Sequence, residues 1–591
     1  MKTTAEAGAE STILPYYTGL NGVDLTTNTL FAHLLWLTMG VVALAVLGVR
    51  LAERLKRRHG RASTTQWRWT PSFKKHLLYA PLFIKRHNRE FRPLPSLNWG
   101  TLPSRPYAIL LTVYLALNVA ALLVLRLNRG NANGYAVMAE LRGRSGTLAV
   151  ANMVPLVVLA GRNNPLIRLL GISFDSYNML HRWLGRLAVV HIVIHVACWM
   201  EVASADGGLR HAFALVSRRG GLFLTSGMAG AMAAVVLLLL SVAPFRHAFY
   251  ETFLNLHILL ALAVLSTTWI HCASAEIDRG LPQLPWIIAI VLIWLMERVA
   301  RVARTVWLHW PKGIASLALC EALPGQITRL TVQLPRFIEV KPGTHAFLRI
   351  WGVDFWQSHP FSIAWVHHHH HHHHVHSPNG RRLLGPYKSS DRSEAVTLLT
   401  FLVRARDGAT RKLLDEAGRD EKGVRLLVTM EGPYAGSHDL GSYRHLVLIA
   451  ASTGITHQLS YVKPLLEGCN AVRRLLLCWI IRDREWIEWV RPYIDAISRM
   501  PGSEHVVSFQ VFITRHHGVS VGDTATMPLV RLRSGRPDVA RLVEDEVSRA
   551  GGDMCVSVCG AGALADDVRE AVRAVQGRRV VVDFIEECFT W

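Results

Sequence analysis

The strongest constraint on the fold is a series of membrane-length apolar segments in the first half of the chain, two of which carry histidine pairs of identical spacing. His181 and His195 lie on one segment, His257 and His271 on another, and the members of each pair are 14 residues apart. A helix of about 20 apolar residues spans a hydrocarbon core about 30 Å thick, and a helix satisfies its own backbone there. Fourteen residues make nearly four helical turns, so both histidines of a pair leave one face, about 21 Å apart along the axis. Two such helices side by side present facing imidazoles at two depths. Ionisable groups at membrane depth are costly and point to function. Two b-type hemes, each held from both sides by histidine, would fill the two positions. His191 lies off that face and His247 at a turn, so neither is expected to be a ligand.

The chain has 591 residues, too many for one compact core. Residues up to about 310 carry the apolar runs, and the rest has ordinary globular composition. The net charge of +22 is not a nucleic-acid signature, because half the residues are hydrophobic and no nucleic-acid motif accompanies it. The basic residues concentrate between Arg50 and Arg92, beside the apolar segments, as in loops held on the cytosolic side. None of the eight cysteines forms a C-x-x-C pair, which suits reduced, buried thiols. The polar start of the chain lacks the apolar core of a signal peptide.

Seven segments are expected to span the bilayer, at about 30–50, 106–126, 147–161, 183–203, 220–243, 250–272 and 285–303, the third being the shortest. By the distribution of Lys and Arg, the globular half is cytosolic and the N-terminus lies outside. The two histidine segments then run in the same direction, with His181 and His257 at the inner level and His195 and His271 at the outer one. Beyond Lys312, short alternating runs such as Ile327–Leu334 and Ala346–Ile350, broken by turns at Pro324 and Pro342, predict an antiparallel β-barrel. From about His445 the pattern changes to strand, Gly-containing turn and helix. Strands are expected at Leu446–Ala450, Leu475–Ile481, Val506–Thr514 and Met554–Val558, as in a doubly wound nucleotide-binding domain. The fold class is therefore a membrane helical heme-binding bundle, followed by a β-barrel and a doubly wound α/β domain. Eight consecutive histidines, His367 to His374, with His376 close behind, read as a low-complexity loop inserted in the barrel.

Arg162-Asn163-Asn164, His181-Arg182-Trp183, the paired histidines, His359-Pro360-Phe361-Ser362 and the Phe584-to-Trp591 tail together resemble the fungal ferric reductases. That flavocytochrome family also includes the NADPH oxidases. The resemblance covers roughly residues 105–591 and implies a ferredoxin-reductase-like module behind the membrane domain. Its boundaries would be a short extracytoplasmic N-terminus (1–28), a first helix with a basic loop (29–105), the transmembrane heme domain (106–305), the FAD-binding barrel (312–440) and the NADPH-binding domain (441–591). It implies that His359, Pro360, Phe361 and Ser362 cradle FAD, with Arg404 and Thr410 near its pyrophosphate. Ala451, Ser452, Thr453, Gly454, Ile455 and Thr456 occupy the turn that approaches the NADPH pyrophosphate. Two positions that are usually glycine in the family, Ala451 and Ser452, depart from its pattern. Arg482 is placed to meet the 2′-phosphate of NADPH. Cys559 and Gly560 correspond to the nicotinamide turn, and Phe589 or Trp591 to the aromatic that covers the flavin.

The implied activity is a transmembrane ferric-chelate reductase serving iron uptake. Electrons would pass from cytosolic NADPH through FAD and two hemes to extracytoplasmic Fe(III), with Cu(II) as a further acceptor to test. The implied setting is a lipid bilayer, the plasma membrane by default, with iron permease and oxidase partners. Two rival readings fit the same residues: a superoxide-generating NADPH oxidase, and a non-catalytic membrane protein with a degenerate reductase module.

Overall fold

The computed structural model describes residues 16–58, 70–83, 103–125, 133–219, 221–311, 313–354, 356–370, 395–436, 438–468, 471–515, 529–550, 553–577 and 581–587. The chain divides into two units, one of residues 1–53 and 90–298, the other of residues 54–89 and 299–591.

The first unit is helical. Its long helices are α1 (Leu25–Arg58), α2 (Arg105–Leu123), α3 (Gly134–Ala160), α4 (Phe174–Ala214), α5 (Gly221–Leu240), α6 (Tyr250–Ala273) and α7 (Leu284–His309), the last continuing past the unit boundary. The first six are long and apolar enough to cross a membrane. Leu37, Leu44, Leu123, Leu239 and Leu259 stand exposed along them, as a lipid-facing surface requires. Helix α7, expected as a seventh span, carries Glu297, Arg298, Arg301 and Arg304 in its second half and is not among the six.

Helix α3 begins well before the expected short segment at 147–161. Glu140, Arg142 and Arg144 interrupt the hydropathy there, yet all three are buried. Their burial is tolerated because the guanidinium groups are hydrogen-bonded. Arg142 Nη2 donates to Gly19 O at 2.9 Å, and Arg144 donates to the carbonyls of Ala121 and Val124 and to Asn28. Pro155, inside α3, has no N–H to offer. The Ala151 carbonyl, four residues earlier, accepts from Trp36 Nε1 at 2.9 Å instead. Between the two histidine levels lies an apolar layer: Ala188 and Val189 of α4, Val264 and Leu265 of α6, with Val150, Met153 and Ala234.

The second unit holds two sheets. Strands β1 (Ser316–Leu323), β2 (Ile327–Leu334), β3 (Thr344–Ile350), β4 (His359–Ser362), β5 (Trp365–His370), β6 (Ala395–Arg404) and β7 (Val424–Ala435) pair antiparallel in the order β4-β3-β7-β1-β2-β6-β5. The sheet curls into the expected barrel after β4, where Ile363 N–H donates to Thr344 O and Ala364 N–H to Thr400 O. Helix α8 (Ala409–Ala417) adds Leu413 and Ala417 to the barrel core. The histidine run begins in this sheet, which corrects its reading as a loop. His367 to His370 belong to β5 and pair with β6, because alternation places residues of either polarity equally well on an edge strand. His371 to His374 and His376 lie outside the described residues.

The second sheet is fully parallel, in the order β11-β10-β9-β8-β12-β13. It comprises β8 (His445–Ala451), β9 (Arg474–Ile481), β10 (Val507–Ile513), β11 (Val530–Ser534), β12 (Met554–Cys559) and β13 (Val582–Glu587). Helices α9 (Ile455–Glu467), α10 (Arg491–Ser498), α11 (Val539–Arg549) and α12 (Gly562–Val575) connect them. The strand order reverses between β8 and β12. Such switch points are where open α/β sheets bind nucleotides.

Residues 70–83, expected only as part of a basic loop, pack on the edge strand β13. Tyr79 is 7% exposed within that sheet's core. Its hydroxyl accepts from Phe584 N–H at 3.0 Å, and Lys74 Nζ lies 2.5 Å from Asp583 Oδ1. An unpaired edge N–H is thereby covered.

Candidate functional site

The four paired histidines come together as the 14-residue spacing requires. The ring centroids of His181 and His257 are 6.2 Å apart, and those of His195 and His271 are 6.3 Å apart. An iron held about 2 Å from each of two imidazole nitrogens leaves the ring centroids about 6 Å apart. Both separations therefore fit a metal between the rings, whereas two rings in direct contact would stack or hydrogen-bond.

Three of the four rings are oriented from behind. His181 Nδ1 is 2.9 Å from Leu156 O, His195 Nδ1 is 2.8 Å from Arg142 O, and His271 Nδ1 is 2.9 Å from Phe223 O. Each such bond places the proton on Nδ1 and leaves Nε2 free to ligate. The two outer rings share a device. A Cβ on Gly146 would stand 2.7 Å from His195 Nδ1, and one on Gly227 would stand 2.7 Å from His271 Nδ1. Each glycine lies four residues after the accepting carbonyl, so one helical turn supplies both the acceptor and the space for the ring. His257 Nδ1 has no hydrogen-bond partner among the described residues. His191 joins a buried polar network with Asn118, Asn152 and Tyr114, away from the paired rings. The side chain of His247 lies outside the described residues.

In the second unit, His359, Pro360, Phe361 and Ser362 are strand β4, paired with Leu348, Phe347, Ala346 and His345 of β3. All four are half-buried, which leaves a flank of the barrel open to a ligand. Arg404 closes β6. Its Nη1 lies 3.4 Å from Ser452 Oγ, and its guanidinium lies 5.8 Å from the centre of the Trp486 ring. Burial, then the positive charges of Arg482 and Arg406, hold Arg404 below the usual arginine range. Cations crowded against one another in this way form a site that an anion stabilises. Thr410 sits in the first turn of α8, its hydroxyl accepting from Arg406 N–H at 2.9 Å. Arg482 is exposed, just beyond β9.

The turn from Ala451 to Thr456 lies at the switch point. Ser452 adopts φ 52°, the left-handed region that glycine enters most easily. Its carbonyl accepts from Trp479 Nε1 at 2.9 Å, which helps hold that conformation. The Ala451 methyl is accommodated by Gly560, where a Cβ would stand only 2.9 Å from it. A Cβ on Gly454 would stand 2.1 Å from Cys559 O. Thus Ala451, Gly454, Cys559 and Gly560 form one contact surface, and the departure from glycine at 451 and 452 does not block it. Thr453 lies in the same short turn, and Ile455 and Thr456 open α9, buried.

Glu587, which the sequence offers with Asp583 and Glu586 either for the hydride-transfer site or as a solvated charge, lies beside Cys559, with histidines that sequence reasoning did not find. Glu587 pairs in register with Cys559 across β12 and β13, and its Oε1 lies 3.4 Å from His438 Nε2. Burial, then Glu587, push the Cys559 thiol well above its usual range. Burial also raises Glu587, but the His438 hydrogen bond and the charges of His457 and His438 outweigh it and hold the carboxyl low. The only sequence signal was the acidic end of an otherwise apolar strand. Phe589 and Trp591 lie outside the described residues.

Known proteins match along the same divisions. Residues 145–268 match the ferric reductase-like transmembrane component, 314–376 an FAD-binding domain, and 443–573 the ferric reductase NAD-binding domain. Ferric/cupric reductase transmembrane component 2 of Saccharomyces cerevisiae is 25% identical over 531 residues, covering 83% of this chain and 68% of that one. Component 3 of the same yeast, a ferric reductase, is 25% identical over 558 residues, covering 88% and 71%. Component 6 is 25% identical over 473 residues, covering 76% of this chain and 60% of its own length. Among the described residues, six helices long and apolar enough to cross a membrane, a curled antiparallel sheet and a parallel nucleotide-binding sheet occur in the order of these three matched domains, and the chain belongs to the ferric reductase family.

Proposed function

We propose that this multi-pass membrane protein is an NADPH-dependent ferric-chelate reductase, reducing extracytoplasmic Fe(III), and Cu(II) with it, in service of iron uptake. The observation that carries the reading is the pair of facing histidine levels, 6.2 and 6.3 Å between ring centroids, in a chain that also holds an FAD-binding and an NAD-binding domain. The plasma membrane, a seventh crossing through α7, and iron permease and oxidase partners complete the proposal.

Bound FAD would split the two electrons of a hydride, and two b-type hemes would relay them singly. His181 and His257 would hold the inner heme, His195 and His271 the outer one. The Nδ1–H bonds of His181, His195 and His271 to backbone carbonyls fix the orientation of those three rings and keep their Nε2 atoms available. His359 to Ser362, Arg404 and Thr410 would hold FAD. The 451–456 turn and Arg482 would hold NADPH, bringing the nicotinamide against Cys559 and Gly560, with Phe589 or Trp591 as the aromatic that covers the flavin. The buried, protonated Cys559 excludes water at that point without adding charge.

The names of the relatives favour a metal acceptor over O2. Trapping superoxide while counting NADPH and Fe(II) tests this. Two Fe(II) per NADPH without superoxide is expected. Superoxide accounting for the NADPH consumed, with Fe(III)–citrate present, would replace the reductase with an oxidase.

A further inference from the structure

We propose that Tyr17, Asp206 and His211 form the landing site for the metal that this protein reduces, beside the cavity of the outer histidine pair. The proposal rests on the reductase reading and adds to it the place where the acceptor binds. Two of the residues stand at the break in α4 and one in the segment before α1, all within the first unit.

The geometry converges on one carboxylate oxygen. Tyr17 Oη donates to Asp206 Oδ2 at 2.9 Å, and His211 Nε2 faces the same oxygen at 3.5 Å. That nitrogen is buried and makes no hydrogen bond to any described residue. The backbone is bent to produce this meeting. Gly207 and Gly208 leave helical geometry, Gly208 with φ 78°, and a Cβ on Gly207 would stand 2.7 Å from His211 Cγ. Glycine is therefore what lets the imidazole fold over Asp206. The side chains of His211 and Asp206 remain 27% and 17% exposed, so the cluster borders solvent.

Tyr17 joins this cluster to the electron source. Its side chain reaches Asp206, while the residue lines the cavity that also contains His195, His271 and Trp199. Its carbonyl accepts from Trp199 Nε1 at 3.2 Å. The acceptor cluster and the outer pair thus share one wall.

The donor set suits the substrate. Carboxylate and phenolate oxygens are hard donors matched to Fe(III), and imidazole serves both iron and Cu(II). Ligand atoms about 3 Å apart are the neighbours expected around a metal with bonds of about 2 Å. Burial, then the bond to Asp206, push the Tyr17 phenol above its usual range, so without a metal it keeps its proton. On binding, Fe(III) exchanges chelator oxygens for Asp206, His211 and the Tyr17 phenolate, whose proton passes to water. One electron drawn from NADPH through the proposed chain converts Fe(III) to Fe(II). Tyr17 then recovers a proton from water and Fe(II) leaves the weaker site.

The test uses the full-length protein with its cofactors, comparing wild type with D206N, H211Q and Y17F. Fe(III)–citrate is the substrate, ferricyanide an acceptor that needs no ligand exchange, and Ga(III)–citrate a redox-inert probe of binding. D206N and H211Q should raise the KM for Fe(III)–citrate at least tenfold and lose Ga(III) retained on dialysis, while ferricyanide reduction stays at the wild-type rate. D206E, which restores the carboxylate, should regain Ga(III), which separates ligation from a merely structural role. Wild-type KM and wild-type Ga(III) retention in D206N and H211Q would overturn the site. Wild-type protein that retains Ga(III) but never reduces Fe(III)–citrate would support the site and sink the reductase reading instead.

Discussion

Replacing Gly146 by alanine should unseat the outer histidine pair and spare the inner one. The new methyl would stand 2.7 Å from His195 Nδ1 and 3.0 Å from Cε1, whereas ordinary contact begins at about 3.5 Å. The ring has to move, and in doing so it loses the 2.8 Å bond from Nδ1 to Arg142 O. Losing such a bond behind a metal-binding imidazole costs about 10–100-fold in metal affinity. Overpacking between α3 and α4 adds about 1–3 kcal/mol. Gly227→Ala poses the same conflict for His271 from the other side, at 2.7 Å. Gly185→Ala is the control, since its Cβ meets only Leu156 Cδ1 at 3.6 Å. The assay is the heme-to-protein ratio and an optical redox titration of purified full-length protein. G146A and G227A should fall from two hemes toward one and lose one of two potentials, while G185A keeps both. Two hemes with wild-type potentials in both G146A and G227A would refute the geometry on which the ligand assignment stands.

Gly454→Ala should slow reduction by NADPH at least tenfold while dithionite still reduces the hemes, because its Cβ would lie 2.1 Å from Cys559 O; stopped-flow absorbance checks this. Arg482→Ala should cut the preference for NADPH over NADH about tenfold, the worth of one charge-assisted contact to phosphate, read from the two kcat/KM values. Tyr79→Ala should destabilise the nucleotide-binding sheet by about 3–5 kcal/mol and Tyr79→Phe by about 1 kcal/mol, followed by thermal unfolding of the full chain. Glu546, clamped by His445 and Arg474 at 2.7 and 2.8 Å, has its carboxyl at about 2, since these bonds outweigh the burial that raises it. A depressed folded value means that its stabilisation is complete above about pH 4.5 and is lost as pH falls toward 2. Glu546→Gln should flatten the melting temperature across that window, relative to wild type.

Much of this architecture was legible because its signals are periodic. The 14-residue spacing fixed which four histidines meet, and alternation located Ile327–Leu334 at its observed limits. What hid from the sequence was polar material whose partners are remote. The start of α3 reads as a charged loop until the carbonyls of Gly19, Ala121 and Val124 are seen to take up Arg142 and Arg144. Strand β13 reads as an acidic tail until Lys74, Tyr443, Arg569 and His438 are found against Asp583, Glu586 and Glu587. The histidine run has no periodicity of its own, so its first four residues gave no sign of pairing with β6. At the site, the candidate ligands were visible as residue types, but Gly146 and Gly227 were not, because a glycine's role is the space it leaves. Ser452 was flagged as a departure, and its left-handed backbone explains why glycine is the easier residue there.

The most direct test of the central claim is anaerobic mixing of the purified, FAD-loaded protein with NADPH, followed by addition of Fe(III)–citrate, with the heme bands recorded throughout. NADPH is expected to reduce both hemes, and iron to reoxidise them with stoichiometric Fe(II). Hemes that NADPH leaves oxidised, or reduced hemes that ignore Fe(III) and respond only to O2, would contradict it.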